Sequence, residues 1–269
     1  MSQPSALGAA LITGASSGIG AVYADRLAHR GYDLILVARD KARLETLAAR
    51  LRSETGVAVE VIQADLVQKP DQSRIERKLR DDPAITLLLN NAGVAGTGDF
   101  VGGDIEQVDA MIQLNVVAVT RLAAAAAQAF KARGKGAIVN LGSVVALIPE
   151  QFTNPYSATK AYVLSFSQSL NQELAGSGVR VQAVLPGATR TEIWERSGRA
   201  IETLPAEILM GVDELVDAAL AGFDAGEPVT IAALPDMADW EAFTAARLKM
   251  APNLSRNRAA PRYNVPVAV

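Results

Sequence analysis

The stretch Ala9-Ala10-Leu11-Ile12-Thr13-Gly14-Ala15-Ser16-Ser17-Gly18-Ile19-Gly20 decides the fold. Residues 9–13 are a short apolar run bounded by Gly8 and Gly14, the pattern of a parallel strand buried on both faces. Residues 21–30 follow with Val22 and Leu27 at helical spacing and a stop at Gly31. Strand, glycine-rich turn and helix in immediate succession give the glycines a purpose. They admit positive φ and let a pyrophosphate approach N–H groups that the first helical turn leaves unpaired. The spacing is Gly-x-x-x-Gly-x-Gly, distinct from the general Gly-x-Gly-x-x-Gly fingerprint.

The alternation continues outward from this unit. Apolar runs predict strands at 32–38, 57–64, 85–89, 136–141, 179–185 and 228–232. Helical spacing predicts helices over 41–55, 71–80, 104–133 (one long helix or two in series), 156–174, 211–226 and 239–249. No internal repeat and no convincing linker divides the chain. The expected class is therefore α/β: one Rossmann-type doubly wound domain, about seven parallel strands with helices on both faces. Residues 9–191 are expected to form the cofactor-binding and catalytic core. Residues 192–269 are expected to supply a substrate lid, the last strand and a C-terminal tail.

In such a sheet, ligands lie beyond the carboxyl ends of the strands. The second strand ends Ala38-Arg39, where an NAD-binding fold would place a carboxylate. Arg39 is placed instead to pair with a 2′-phosphate, which argues for NADP(H) over NAD. The plainer reading makes Arg39 a solvated residue before a helix that Asp40 caps. Asp65-Leu66 follows the third strand, and Asp65 can accept from an adenine amino group or serve its own loop. Asn90-Asn91-Ala92-Gly93 follows the fourth, a place for backbone to pass close to a ribose.

Composition removes several classes. With 49% hydrophobic and 20% charged residues, the chain can bury a large core. A formal net charge of -3 gives no support for nucleic-acid binding. There is no cysteine, so no disulfide or thiolate metal site is expected. The single histidine, His29, reads as a surface residue near a helix end, so neither a histidine metal site nor a serine-hydrolase triad is expected. No uninterrupted apolar run reaches the roughly 18 residues of a membrane span. The N-terminal residues lack a basic region followed by an apolar core, so the expectation is a cytoplasmic protein without membrane contact.

The remaining polar residues suggest chemistry. Tyr156 and Lys160 are four apart, on one face of a helix that Pro155 opens. An ammonium beside a phenol favours phenolate and is expected to lower a pKa that is normally about 10. Such a tyrosine passes a proton to or from an alcohol or ketone. On its own the pair also fits a solvated helix face. Ser143 lies just beyond the fifth strand, and Asn115 interrupts an apolar helical run where its amide must find partners. It either holds a buried water or satisfies itself locally.

Taken together, Thr13 to Gly20, Asp65, Asn90-Asn91-Ala92-Gly93, Asn115, Ser143, Tyr156 with Lys160, and Pro186-Gly187 with Thr191 resemble a classical short-chain dehydrogenase/reductase of the NADP-preferring branch. The resemblance covers residues 9 to about 191. It implies a catalytic tetrad of Asn115, Ser143, Tyr156 and Lys160, with Asn115 holding a water that relays protons to Lys160. It further implies dinucleotide contacts from Gly14, Ser16, Ser17, Gly18, Ile19, Gly20, Arg39, Asp65, Leu66, Asn91, Ala92, Gly93, Tyr156, Lys160, Pro186, Gly187, Thr189 and Thr191. The implied function is NADP(H)-dependent interconversion of a ketone or aldehyde and an alcohol; the alternative is a non-catalytic NADP-binding regulator of the same fold. The family, with the alanine-rich stretch 122–130, points to a homo-oligomer, a tetramer or dimer.

The substrate region is read from residues 144–154 and 192–210. Leu147, Ile148, Phe152, Ile193, Trp194, Leu204, Ile208, Leu209 and Met210 either line an apolar pocket under a lid or pack against the body or a neighbouring subunit.

Overall fold

The computed structural model describes residues 5–96, 100–151, 155–197 and 200–265. Phe152 therefore lies outside the described residues. The strands are β1 Ala9–Thr13, β2 Asp33–Ala38, β3 Val59–Gln63, β4 Ile85–Asn90, β5 Gly136–Leu141, β6 Val179–Val184 and β7 Val229–Thr230. They form one parallel sheet in the order β3-β2-β1-β4-β5-β6-β7. The helices are α1 Gly18–His29, α2 Lys41–Thr55, α3 Lys69–Asp81, α4 Ile105–Ile112, α5 Val119–Arg133, α6 Tyr156–Glu173, α7 Ile193–Arg196, α8 Val212–Ala225 and α9 Met237–Lys249.

Both faces of the sheet are covered, which is why the strands read as unbroken apolar runs. Ala10, Ile12, Leu34 and Leu36 join Leu27, Leu44, Leu51 and Phe223 in one cluster. Ala9, Leu11, Ile35 and Val37 join Leu79, Leu122, Phe130 and Leu170 in the other. Helix ends follow ordinary rules. Asp40 accepts from the Arg43 N–H at the start of α2, and Gly56 ends that helix with φ of 73°. Arg26 of α1 reaches Asp213 and Asp217 of α8 at 2.8 and 2.7 Å, tying the two helices together.

The chain divides into two compact units, Met1–Ala232 and Ala233–Val269. The first holds the sheet. The second carries α9, capped by Asp236 through the Ala238 N–H at 2.8 Å, with no buried residue in the helix. Within it the Trp240 and Phe243 rings stack at 5.6 Å.

Two features of the long helix go beyond what was expected. Residues 105–133 form one continuous helix, but Gln113–Ala118 between α4 and α5 winds as a π-helix. Averaged over a window, Ile105–Arg133 is also long and apolar enough to cross a membrane, although no uninterrupted apolar run is. Half of that window is buried inside the fold, where Leu122, Ala126 and Phe130 pack in the second cluster. That burial is the ordinary source of such hydropathy in a core helix.

Candidate active site

The site forms where the strand order reverses, between β1 and β4. Thr13 ends β1. Its hydroxyl donates to the Leu89 carbonyl at 3.2 Å and accepts from the N–H groups of Asn91 and Ala92, both at 3.0 Å. Asn91 Nδ2 donates to the carbonyls of Thr13 and Gly14 at 2.9 and 3.1 Å. The loop after β4 is thus stapled to the glycine turn after β1.

That turn opens α1. Gly18 has φ of +55°, and a Cβ there would come within 3.3 Å of Thr191 Cγ2. The loop after β6 therefore lies against the turn. No acidic residue stands in the first turn of α1, so nothing in it repels an anion at the helix N-terminus. Arg39, at the end of β2, is exposed, and among the described residues its guanidinium has no ion-pair partner. The Asp65 N–H donates to Asp71 at 2.8 Å, and Asp65 Oδ1 accepts from the Val67 N–H at 3.1 Å. That backbone bond, with Arg74 alongside, holds the Asp71 carboxyl below the usual carboxylate range.

The four residues of the expected tetrad come from three elements. Ser143 follows β5, Tyr156 and Lys160 stand on α6, and Asn115 lies in the π-helical turn. Ser143 hydrogen-bonds the Tyr156 phenol, and its Oγ lies 3.3 Å from the Pro186 carbonyl. Lys160 Nζ donates to the Leu141 carbonyl at 2.9 Å and sits 5.6 Å from the Tyr156 ring centre. At Gly93, a Cβ would meet Asn115 Oδ1 at 3.1 Å and Lys160 Nζ at 3.6 Å. A side chain here would press on the Asn115 amide, so glycine gives the chain a close passage beside both groups.

Asn115 finds its partners in distant parts of the chain rather than locally. Its Oδ1 accepts from the Val94 N–H at 3.0 Å, and its Nδ2 donates to the Val94 carbonyl at 2.9 Å and to Thr159 Oγ1 at 3.1 Å. A π-helical turn at such a place is a frequent mark of function, because it re-aims one side chain without breaking the helix.

The electrostatics correct the expected tuning. Burial pushes the Tyr156 phenol up to about 12, and only the Ser143 hydrogen bond draws it back. Burial also brings Lys160 down to about 8. Desolvation penalises phenolate and ammonium alike, and so drives both groups toward their neutral forms. At neutral pH, Tyr156 is therefore a protonated acid.

A family model described as short chain dehydrogenase matches residues 8–202. The chain belongs to the short-chain dehydrogenase family. A short-chain dehydrogenase from Sphingobium yanoikuyae, solved in complex with NADPH, is 56% identical, with a TM-score of 0.92 over 94% of this chain and 98% of that one. The bulky-bulky ketone specific alcohol dehydrogenase from Comamonas testosteroni is 50% identical, with a TM-score of 0.88 over 95% of this chain and 98% of that one. Human 17-beta-hydroxysteroid dehydrogenase type 3 is 33% identical over 185 residues, which are 68% of this chain and 59% of the human protein.

In this short-chain dehydrogenase the expected residues do not all present side chains to one groove. Leu66 is buried in the core, so only its backbone is available, and Ile19 packs against the other core cluster. Asn91 uses its amide to join two loops rather than to face outward. Thr189 is buried and donates to the Gly187 carbonyl at 3.1 Å, whereas Gly187 faces open space. Pro186 supplies its carbonyl to the Val144 N–H at 3.0 Å. Trp194 Nε1 donates to the Thr189 carbonyl at 2.7 Å, and Met210 pairs through its backbone with Ala188 and Arg190, both at 3.0 Å.

Thr13, quoted in the sequence only as the start of the glycine motif, and Thr159, given no role there, both hold the candidate site together. Each sits beside a motif residue, and the only signal was a small hydroxyl at a strand end or one position before Lys160. The Arg43–Glu192 ion pair was also missed, since nothing in the sequence relates residues so far apart.

Proposed function

We propose that this protein is an NADP(H)-dependent oxidoreductase that interconverts a ketone or aldehyde and an alcohol, with Tyr156 as the acid and base. The observation that carries this reading is the Ser143–Tyr156 hydrogen bond with Lys160 Nζ 5.6 Å from the same ring. The donors present fit a phosphorylated dinucleotide. The α1 N-terminus carries no acidic residue in its first turn, Gly187 borders open space, and Arg39 is a cation at the end of β2. The NADPH complex of the Sphingobium relative supports the same choice.

When bound, the nicotinamide supplies or receives hydride. The chain supplies the rest. Ser143 and Tyr156 donate hydrogen bonds to the carbonyl oxygen, and both strengthen as negative charge grows there. Tyr156 transfers its proton to the forming alkoxide and is left as phenolate. Lys160, cationic or neutral near its pKa of about 8, is poised to return that proton. Asn115 holds the loop of Val94 and the Thr159 hydroxyl in place around it. A proton relay from Lys160 to solvent through a water near Asn115 belongs to the proposal.

The substrate is read as a bulky, largely apolar ketone. Leu147, Ile193, Trp194, Leu204, Leu209 and Met210 are only partly buried, and Ile148 and Ile208 are exposed, so residues 192–210 offer an apolar lid rather than core. The bulky-ketone specificity of the Comamonas relative and the steroid named for the human one favour the same class. We also read the protein as a homo-oligomer, a dimer or tetramer, which light scattering decides. The deciding test is Tyr156→Phe: turnover against aliphatic, aromatic and steroid ketones should disappear while NADPH still binds. Retained turnover in that variant sinks the assignment.

A further inference from the structure

The loop after β6 reaches across the whole site. β6 lies four strands from β2 in the order β2-β1-β4-β5-β6, roughly 19 Å at ordinary strand spacing. Yet Glu192, shortly after β6, holds Arg43 in the first turn of α2, which directly follows β2. Arg43 Nη1 lies 2.9 and 2.8 Å from the two carboxylate oxygens of Glu192.

Both ends of this link are anchored. The Arg43 N–H donates to Asp40 Oδ1 at 3.0 Å, and Arg43 Nε lies 3.6 Å from Asp40 Oδ2. On the other side, Trp194 Nε1 grips the Thr189 carbonyl, and Met210 pins Ala188 and Arg190. Between the anchors, Thr191 rests against Gly18. The connection therefore passes over the carboxyl ends of β5, β4 and β1, the crevice where an open α/β sheet takes its ligand.

We propose that the Arg43–Glu192 ion pair latches the loop after β6 across the dinucleotide groove and sets how long the dinucleotide stays bound. This rests on the cofactor reading above and adds a role for two residues that touch no reacting atom. They are positioning residues. A dinucleotide already under the loop leaves only when the pair parts.

The pair is electrostatic and accessible: the Arg43 side chain is 50% exposed and that of Glu192 41%. Salt therefore weakens the latch, and exposed pairs of this kind are worth about a two- to fivefold change in an equilibrium or rate. The latch is indifferent to the 2′-phosphate, so NADPH and NADH are held by it alike. Release often limits turnover in enzymes with closing loops, so kcat should rise with release while kcat/KM for the ketone stays the same.

The test is stopped-flow displacement of NADPH and of NADH, followed by nicotinamide fluorescence, at low and high NaCl. It compares the wild-type full chain, Arg43→Gln, Glu192→Gln and the charge-reversed double variant Arg43→Glu/Glu192→Arg. Each single variant should release both dinucleotides about two- to fivefold faster and lose the salt acceleration seen in the wild type. The reversed pair should restore slow, salt-sensitive release. Unchanged release in both single variants, with normal binding by the wild type, overturns the latch. So does the opposite pattern, in which Arg43→Gln weakens NADPH alone and Glu192→Gln tightens it, for that makes Arg43 a phosphate ligand. A wild-type protein with no saturable NADPH signal overturns the cofactor reading itself and the latch with it.

Discussion

Asn115 Nδ2 donates to Thr159 Oγ1 at 3.1 Å, and the Thr159 hydroxyl donates in turn to the Tyr156 carbonyl at 2.7 Å. One buried hydroxyl thus joins the amide in the π-helical turn to the backbone that carries the phenol. Thr159 is buried, and valine has its shape without its hydrogen bonds. Thr159→Val leaves an Asn115 donor unpaired, which costs about 1–3 kcal/mol. The melting temperature should fall by several degrees, and kcat should fall while ketone KM holds. Thr159→Ser should recover most of both. Wild-type kcat in the valine variant would show that the hydroxyl positions nothing.

Burying Lys160 costs stability at neutral pH. Its pKa of about 8 in the fold lies below the ordinary 10.5, so between those values the unfolded chain binds more protons than the folded one. Wild-type stability should therefore rise as pH goes from about 8 to 10.5, and below 8 the fold carries the cost of a buried ammonium. Lys160→Met should abolish turnover, raise the melting temperature at pH 7, and flatten that alkaline rise. Thermal melts across pH measure all three effects; an unchanged or lower melting temperature at pH 7 contradicts the argument.

The phenol gives the two reaction directions different pH profiles. With Tyr156 pushed up to about 12, the acid form prevails throughout the neutral range. Ketone reduction, which uses that acid, should stay near its plateau from pH 6 to 8. Alcohol oxidation needs the phenolate and should climb by up to about tenfold per pH unit through the same range. Initial rates in both directions from pH 6 to 10 settle the point. An oxidation optimum at or below pH 7 argues against Tyr156 as the base.

Arg39 should decide between dinucleotides. A charge-assisted contact to a 2′-phosphate is worth about 1.5–3 kcal/mol, so Arg39→Ala should raise the NADPH dissociation constant roughly 10- to 100-fold. NADH binding should change little, and fluorescence titration with each dinucleotide separates the two. Equal losses for both would place Arg39 away from the phosphate.

Much of this was legible in the sequence because it is local. An apolar run, a glycine turn and a helical repeat report the strand–turn–helix unit directly, and β1, α2 and β5 appear with the predicted ends. Motif residues such as Ser143, Tyr156 and Lys160 lie at strand and helix ends, so the order of elements already brings them together. What stayed hidden depends on distance in space. Whether Lys160 tunes Tyr156 or is itself neutralised depends on how much protein surrounds both groups, which spacing along a helix does not contain. The partners of Asn115 lie at Val94 and Thr159, on other elements. The resemblance implied a ligand contact at Leu66, and burial of its side chain leaves its backbone to make one, a distinction that residue type does not carry.

The wide turn at Gln113–Ala118 has a consequence for how this helix can vary. A π-helical turn takes up one residue more than an α-helical turn. The roughly 100° that one extra residue would add to an α-helix is absorbed within the turn, so α5 keeps its apolar face on the sheet. Loss of a single codon in that stretch would close the turn to ordinary α winding with Leu122 and Phe130 still on the sheet, and would carry the amide of Asn115 away from Val94. The extra residue therefore serves the placement of Asn115, and the packing of α5 does not depend on it.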